Sequence, residues 1–425
     1  MLPHTAAARS LLTQAFEKAS QAAAPAVCLA PALDKLERRP ALVLGAGKAA
    51  ASMAVAFSTH WGAPVRGMVV TRYGHGLLPG EDCGGIDVIE AGHPSPDGAS
   101  LAAGARLLEL ASQLRADETL CCLISGGGSS LASQPLPVLT FEQKRAAANF
   151  LIRQGADIRE INCVRKHLSR LKGGRLAVAA HPAPVATFAI SDVPGDDVGA
   201  IASGPTVPDP TTQADALAIL ETYRYPNLSE LGHILGDSQW ETPKPGDPAF
   251  ARDSVHLIAT AATALAAAAS FLEQQGFDVV QLGDDLDDEA QTLGREHARL
   301  AKQTCKSGKR TAILSGGETR VVLGDGGGRG GRNTEYLAAL ALELDGASGI
   351  FALAADTDGI DGHGDHAGGI VEPTTLQVGA KRGLVLAELL ARHDTYSYFD
   401  ACGLLLKTGP TRTNVNDFRL ILCQP

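Results

Sequence analysis

An α/β fold of two domains with largely parallel sheets is predicted by two observations. Short aliphatic runs alternate with Ala- and Leu-rich stretches of helical length along the whole chain, the pattern of strands joined through crossover helices. At 425 residues the chain also exceeds what one hydrophobic core usually supports. The predicted strands are 41–44, 67–71, 86–90, 120–124, 185–190, 256–259, 279–282, 311–314 and 350–354. Many run at their C-terminal ends into Gly, Ser, Thr or Asp, where open α/β sheets bind their ligands. Two Pro-rich segments, 205–210 and 242–248, the second with a Gly, interrupt the alternation and read as linkers or lids. The second sets the expected division into domains 1–245 and 246–425, with an active-site cleft between them.

Composition excludes several classes. The formal net charge of −10 comes without a block of Lys and Arg, and nucleic-acid binding depends on clustered cations that displace counterions. The 8 cysteines include no C-x-x-C pair, so zinc and redox-couple readings lack their spacing and reduced core thiols are expected. No basic leader followed by an apolar run is present, and no stretch is apolar enough to span a bilayer. A soluble cytoplasmic protein without a membrane partner is expected, with a homodimer left open.

The first motif is Leu42-Val-Leu-Gly45-Ala-Gly47-Lys48-Ala-Ala50, a strand entering a helix through a G-x-G-x-x-A turn. It matches a dinucleotide fingerprint and gives the N-terminal half a Rossmann-like character. The acid that should close the next strand and hold a ribose is missing, because that strand ends at Thr71-Arg72-Tyr73. Lys48 fits an anion site better, since an ammonium there adds to helix-end amides; a plain packing turn would read the same way. The second motif, Ile124-Ser125-Gly126-Gly127-Gly128-Ser129-Ser130, also ends an apolar strand. Its amides and hydroxyls suit a phosphate cradle, although the Walker pattern is absent and a Gly-Ser connector is the alternative.

The third, Ser191-Asp192-Val-Pro194-Gly-Asp196-Asp197, places carboxylates at a strand end, where they suit magnesium or a base toward a hydroxyl. The fourth is Ser315-Gly-Gly-Glu318-Thr319, then Gly326-Gly-Gly-Arg329-Gly-Gly-Arg332-Asn333 before a helix. Arginines amid glycines are shaped for bidentate phosphate or carboxylate contacts, and the helix dipole favours an anion at Arg332 and Asn333. Downstream, Asp356-Thr357-Asp358-Gly-Ile-Asp361-Gly-His363-Gly-Asp365-His366 fails as an EF-hand, because Ile360 and Ala367 fall at ligand positions. His363 and His366 are read as polar loop groups rather than metal ligands. A last polar cluster runs from Thr408 through Asn414 to Asp417.

Together these blocks resemble the glycerate 2-kinase family whose C-terminal half is called MOFRL, many members of which carry the name hydroxypyruvate reductase. Gly92-His93-Pro94-Ser-Pro96-Asp97, Asn162-Cys-Val-Arg-Lys166-His-Leu-Ser-Arg170-Leu-Lys172-Gly-Gly-Arg175 and Ser203-Gly-Pro205 extend the resemblance over nearly the whole chain. The resemblance implies transfer of a phosphoryl group from ATP, with Mg2+ or another divalent cation, to the 2-hydroxyl of D-glycerate. It points to Lys48 and Arg332 as active-site residues, acting on the transferring phosphate or the substrate carboxylate. Asp192 is assigned to base or metal work, Gly45, Gly47, Ser125, Gly126, Gly127, Gly128 and Ser129 to binding substrate or nucleotide, and the amides of 125–129 to an anion cradle, with the loop that holds ATP left open. Lys166, Arg170 and Asn333 are expected to orient substrate, with Asp197, Glu318, Asp358 and Asn414 as further contacts. Arg412, His363 and His366 depart from the family pattern and carry no assigned role. Replacing Lys48 or Arg332 is expected to leave stability little changed, since neither fills core volume. The rival readings are an NAD(P)H-dependent hydroxypyruvate reductase, using Gly45, Gly47 and Ala50 for pyrophosphate and Lys48 or His93 for the carbonyl, and a glycerate-binding protein without turnover.

Overall fold

The computed structural model describes residues 3–322, 327–362 and 364–424; Gly326 and His363 lie outside them. It separates into one unit, Pro25–Ile258, and another composed of Met1–Ala24 and Ala259–Pro425.

In the first unit, β1 (Leu42–Ala46), β2 (Gly67–Arg72), β3 (Ile86–Ala91), β4 (Leu120–Ile124), β5 (Val185–Ile190) and β6 (Ser254–Ala259) form a sheet in the order β3-β2-β1-β4-β5-β6. Neighbours from β3 to β5 are parallel, with Leu42 opposite Leu120 and Val43 opposite Gly67. Every residue of β1, β4 and β5 is buried, which explains why these strands read as unbroken apolar runs rather than alternating ones. The chain steps outward from β1 to β3 and then returns to β4, so the β1/β4 boundary is a topological switch point. Its carboxyl edge is where this class of sheet leaves a crevice for ligands. Leu42, Leu44, Leu107, Ile124 and Leu176 share one core cluster beneath that edge. A second cluster, with Leu151, Val164 and Leu220, joins the helices Phe141–Arg153, Ile158–His167 and Gln213–Thr222 into a helical layer.

Neither predicted linker joins the units. Asp209 is fully buried and its N–H donates to Pro243 O at 2.9 Å, so segments 205–210 and 242–248 pair with each other inside Pro25–Ile258. The boundary expected at 245/246 is therefore misplaced, because β6 follows it and completes the first sheet.

In the second unit, β7 (Asp278–Gln281), β8 (Thr311–Ser315), β9 (Ile350–Asp356), β10 (Gly368–Val371), β11 (Leu405–Leu406) and β12 (Asp417–Cys423) are ordered β11-β10-β9-β12-β8-β7. Only β7 and β8 pair in parallel; the other four pairings are antiparallel. The expectation of largely parallel sheets thus holds in the first unit and fails in the second. All nine predicted strands exist, but β10, β11 and β12 were not among them, and β12 enters between β8 and β9 in reverse. The helix Pro3–Ala22 also belongs here. The Phe16 ring meets Phe418 of β12 edge-on at 5.9 Å, and Arg9 pairs with Glu372 at 2.7 Å.

Candidate active site

At the carboxyl edge of β1 and β4, two loops lock onto each other. The Gly47 N–H donates to Val70 O (3.0 Å), Lys48 N–H to Gly126 O (2.8 Å) and Ala49 N–H to Ser125 Oγ (3.0 Å). Gly47 is required there: its φ is +147°, and a Cβ would lie 2.0 Å from Ser125 Oγ. Gly45 sits inside β1, where a Cβ would meet Leu123 O at 2.5 Å. These glycines serve strand and loop packing, and the turn amides that a dinucleotide pyrophosphate needs are engaged by protein. That geometry gives Gly45 and Gly47 packing roles rather than an open phosphate cradle and weakens the reductase reading.

The next two glycines lie open to functional groups. A Cβ on Gly126 would stand 1.7 Å from Asp192 Oδ2; one on Gly127 would stand 2.9 Å from His93 Nε2 and 3.3 Å from Lys48 Cγ. Lys48, His93 and Asp192, from the ends of β1, β3 and β5, therefore converge on Gly126-Gly127. Among the described residues neither of these two N–H groups meets a protein acceptor, so a cation, a carboxylate and two amide donors border one loop. Ser125 is fully buried and engaged by Ala49; Ser129 Oγ lies 2.9 Å from Ser203 Oγ, which donates to Asn162. Both serines brace the loop.

Beside Ser129 and Ser130 opens a pocket of about 60 Å³ into the helical layer, with Lys144, Arg165 and Lys172 in its wall. Lys144 donates to Ser133 Oγ at 2.9 Å, and Lys172 to Ser129 O at 2.7 Å. Burial, and then the Arg165 charge, pushes Lys144 down to about 7; burial, with Lys144 and Arg165, holds Lys172 well below its ordinary value. Between pH 7 and the ordinary lysine range the unfolded chain binds a proton at Lys144 that the folded chain lacks. Stability should therefore rise with pH across this window, with the burial penalty fully present below it. Urea unfolding at pH 6.5 and 8.5, in phosphate-free buffer, should show that gain, and Lys144→Met should show a smaller one. Equal gains would place the titration elsewhere.

In the second unit, β12 runs antiparallel between β9 and β8, so Asp417 lies opposite Asp356 and near the loop after β8. Arg332 begins the helix Arg332–Leu344 and reaches three acids: Glu318 at 2.6 Å, Asp356 at 2.7 Å and Asp417 at 2.8 Å. Burial opposes the guanidinium charge, but Asp417, Asp356 and Glu318 outweigh it and hold the pKa well above the usual arginine value. Arg419, buried, donates to Asp417 at 2.7 Å, and Asn333 Nδ2 does so at the same distance. The anion position at the helix start is filled by Asp361, which accepts from the N–H groups of Asn333 and Thr334 at 3.0 Å each. The anion expected at that dipole is thus the protein's own carboxylate. A pocket of about 320 Å³ borders Arg332, Thr319, Glu335 and His393.

Most other predicted contacts lie apart from these arrangements, although the Asp358 N–H donates to Asp356 Oδ1 at 2.9 Å. Lys166 is a buried partner of Asp209 at 3.2 Å; Asp197 closes its own turn by accepting from Gly199 N–H; Arg170 is exposed. Asp358 accepts from Ile360 N–H and Asn414 from Asn416 N–H, both local turns. His366 is fully buried against Tyr396, its Nε2 3.6 Å from Asp361. Asp356, Asp361 and Asp417 stood in the quoted motifs without a role. Lys144 was missed, although its spacing with buried Ala147 and Leu151 marks a cation on an apolar helix stripe.

A domain of unknown function, DUF4147, matches residues 11–231, and the MOFRL family matches 311–417. The chain is 45% identical to a protein of Agrobacterium vitis with a provisional hydroxypyruvate reductase name, covering 98% of this chain and 94% of that one. It is 38% identical to the D-glycerate 2-kinase of Thermotoga maritima over 96% of this chain and 97% of the relative. The crystal structure of Thermotoga maritima glycerate kinase superposes with a TM-score of 0.88 at 37% identity, covering 98% of this chain and 99% of that one.

Proposed function

Because the chain belongs to the glycerate kinase family that carries a MOFRL region, we propose that it transfers a phosphoryl group from ATP to the 2-hydroxyl of D-glycerate, giving 2-phosphoglycerate and ADP. The observation that carries this reading is the convergence of Lys48 and Asp192 on the open amides of Gly126 and Gly127, beside a turn whose own amides are engaged. Phosphoryl transfer needs positioning and charge stabilisation more than covalent chemistry. Lys48 with the two amides supplies preorganised positive potential for the transferring group. Asp192 accepts the hydroxyl proton or ligates a divalent ion.

Magnesium commonly takes one or two protein carboxylates and completes its shell with phosphate oxygens and water, so a single acid beside a phosphate-binding loop fits it. Asp192 would hold the ion, which when bound neutralises phosphate charge. The trio around Arg332 is a poorer match: a guanidinium occupies its centre, and among the described residues no group of three His, Cys, Asp or Glu side chains could hold a metal. The eight cysteines are free thiols, in keeping with a reducing cytoplasmic setting. No described helix is long and apolar enough to cross a membrane.

Purified protein with D-glycerate, ATP and magnesium should form ADP, and hydroxypyruvate with NADH or NADPH should show no absorbance loss; the reverse pattern sinks the kinase reading. Chelation of divalent ions should abolish activity. Asp192→Asn should lower kcat by about 10²-fold with a much smaller change in the KM for ATP. Recovery of rate at raised magnesium would identify Asp192 as a ligand, whereas an unresponsive loss would identify it as the base. A full-rate variant would exclude both roles.

A further inference from the structure

The pocket in the helical layer has a composition that calls for a ligand. Its wall carries four basic side chains, Lys144, Arg145, Arg165 and Lys172, and no carboxylate. Lys144 and Lys172 are 6% and 2% exposed. Among the described residues the Arg165 guanidinium meets no acceptor and no acid. A half-buried charge without a protein partner is costly, and desolvation already lowers the Arg165 pKa. Elsewhere the same unit pairs its buried cations: Lys166, one residue on, has Asp209. The hydroxyl-bearing residues Ser129, Ser130 and Ser133 stand beside the cations, and Pro94, Phe141 and Ile152 form an apolar rim.

We propose that this pocket binds the carboxylate end of the small hydroxy acid that accepts the phosphoryl group, with Arg165 as its principal anchor. A guanidinium presents a planar fork that matches a carboxylate in two parallel hydrogen bonds. The volume of about 60 Å³ suits a group of a few heavy atoms. Ser129 links the pocket to the loop bordered by Lys48 and Asp192, so an acid seated there directs its hydroxyl-bearing carbon toward that loop. The identity of the acid rests on the phosphotransfer reading; the existence of the carboxylate subsite rests on the pocket.

The test uses the full chain and the variants Arg165→Gln and Arg165→Lys, with both calorimetric binding and steady-state kinetics. Arg165→Gln should raise the Kd and KM for D-glycerate by about 10- to 100-fold, the weight of a charge-assisted bidentate contact. The KM for ATP should hold, kcat at saturating glycerate should stay near that of the parent, and Arg165→Lys should fall between. The melting temperature of Arg165→Gln in the absence of ligand should equal or exceed the parent's, because a half-buried charge without a protein partner has been removed; a merely structural arginine would lower it. Unchanged D-glycerate binding overturns the proposal, as does a rise confined to ATP, or inorganic phosphate competing where D-glycerate does not. If the parent binds D-glycerate through Arg165 but forms no ADP, the activity reading fails and the subsite stands. If D-glycerate is phosphorylated but indifferent to Arg165, the subsite fails and the activity stands.

Discussion

Arg332→Ala should destabilise the protein by about 3 kcal/mol, the low end of the loss when one partner of a buried ion pair is removed, since the Arg332 and Glu318 side chains are 23% and 45% exposed. The expectation from sequence was the opposite, because arginine fills little core volume. Structure reverses it: Glu318, Asp356 and Asp417 all point at this one guanidinium, and two of them are nearly inaccessible. Without Arg332, Asp417 retains Arg419, while Asp356 loses its 2.7 Å ion pair. Urea titration should show the loss, and Asp356→Asn placed on the Arg332→Ala background should recover part of it. An Arg332→Ala protein as stable as its parent, or a double variant weaker than the single, would remove the charge-cluster account. Activity of Arg332→Ala is interpretable only at a denaturant-free temperature well below its transition.

Lys48→Ala should lower kcat/KM by about 10²- to 10³-fold, the usual loss when one preorganised charge-stabilising donor is deleted from a site that keeps its others. Here the fold should be spared. The lysine backbone, not its side chain, makes the lock to Gly126 O and accepts from Thr71 Oγ1 at 3.2 Å, and both bonds survive truncation. Lys48→Arg keeps charge but adds bulk against Gly127 and His93, so it should recover only a fraction of the rate. Steady-state kinetics with urea unfolding run alongside separates the two effects. Near-parental turnover in Lys48→Ala would take the residue out of the mechanism.

The first unit was legible because its strands are buried on both faces and read as apolar runs ending in glycine and acid, as in Leu42–Ala46 and Leu120–Ile124. That same pattern placed Lys48, the glycine loop and Asp192 at strand ends, and the parallel order brought them together. The second unit hid its direction. Gly368–Val371 and Leu405–Leu406 are too short to stand out from loop, and Asp417–Cys423 follows a polar cluster that drew attention away from it. Missing β12 meant missing how Asp417 reaches Arg332, since only an antiparallel insertion sets it opposite Asp356. Gly45 and Gly47 misled for a physical reason: glycine marks any close backbone approach, and here the neighbour is Leu123 or Ser125 rather than phosphate. Lys166 and Arg165 are adjacent in sequence, yet one faces Asp209 and the other a pocket without acids; helix rotation, not residue type, separates them.

The insertion of β12 has a consequence for how the chain is made. The helix Pro3–Ala22 leaves the ribosome early, but its partner on the sheet is Phe418, and the hydrogen bond from Thr413 to Ala23 spans 390 residues. At about 5–20 residues per second, that interval is roughly 20–80 s, and even the other elements packed on this helix, Ala261–Gln274 and Ile350–Asp356, emerge only in its later part. The unit Pro25–Ile258 holds all its strand partners by the time its last residue emerges, so it can fold while synthesis continues. The early helix must wait for the distant parts of its own unit, meanwhile exposing an apolar stripe that a holding chaperone would recognise.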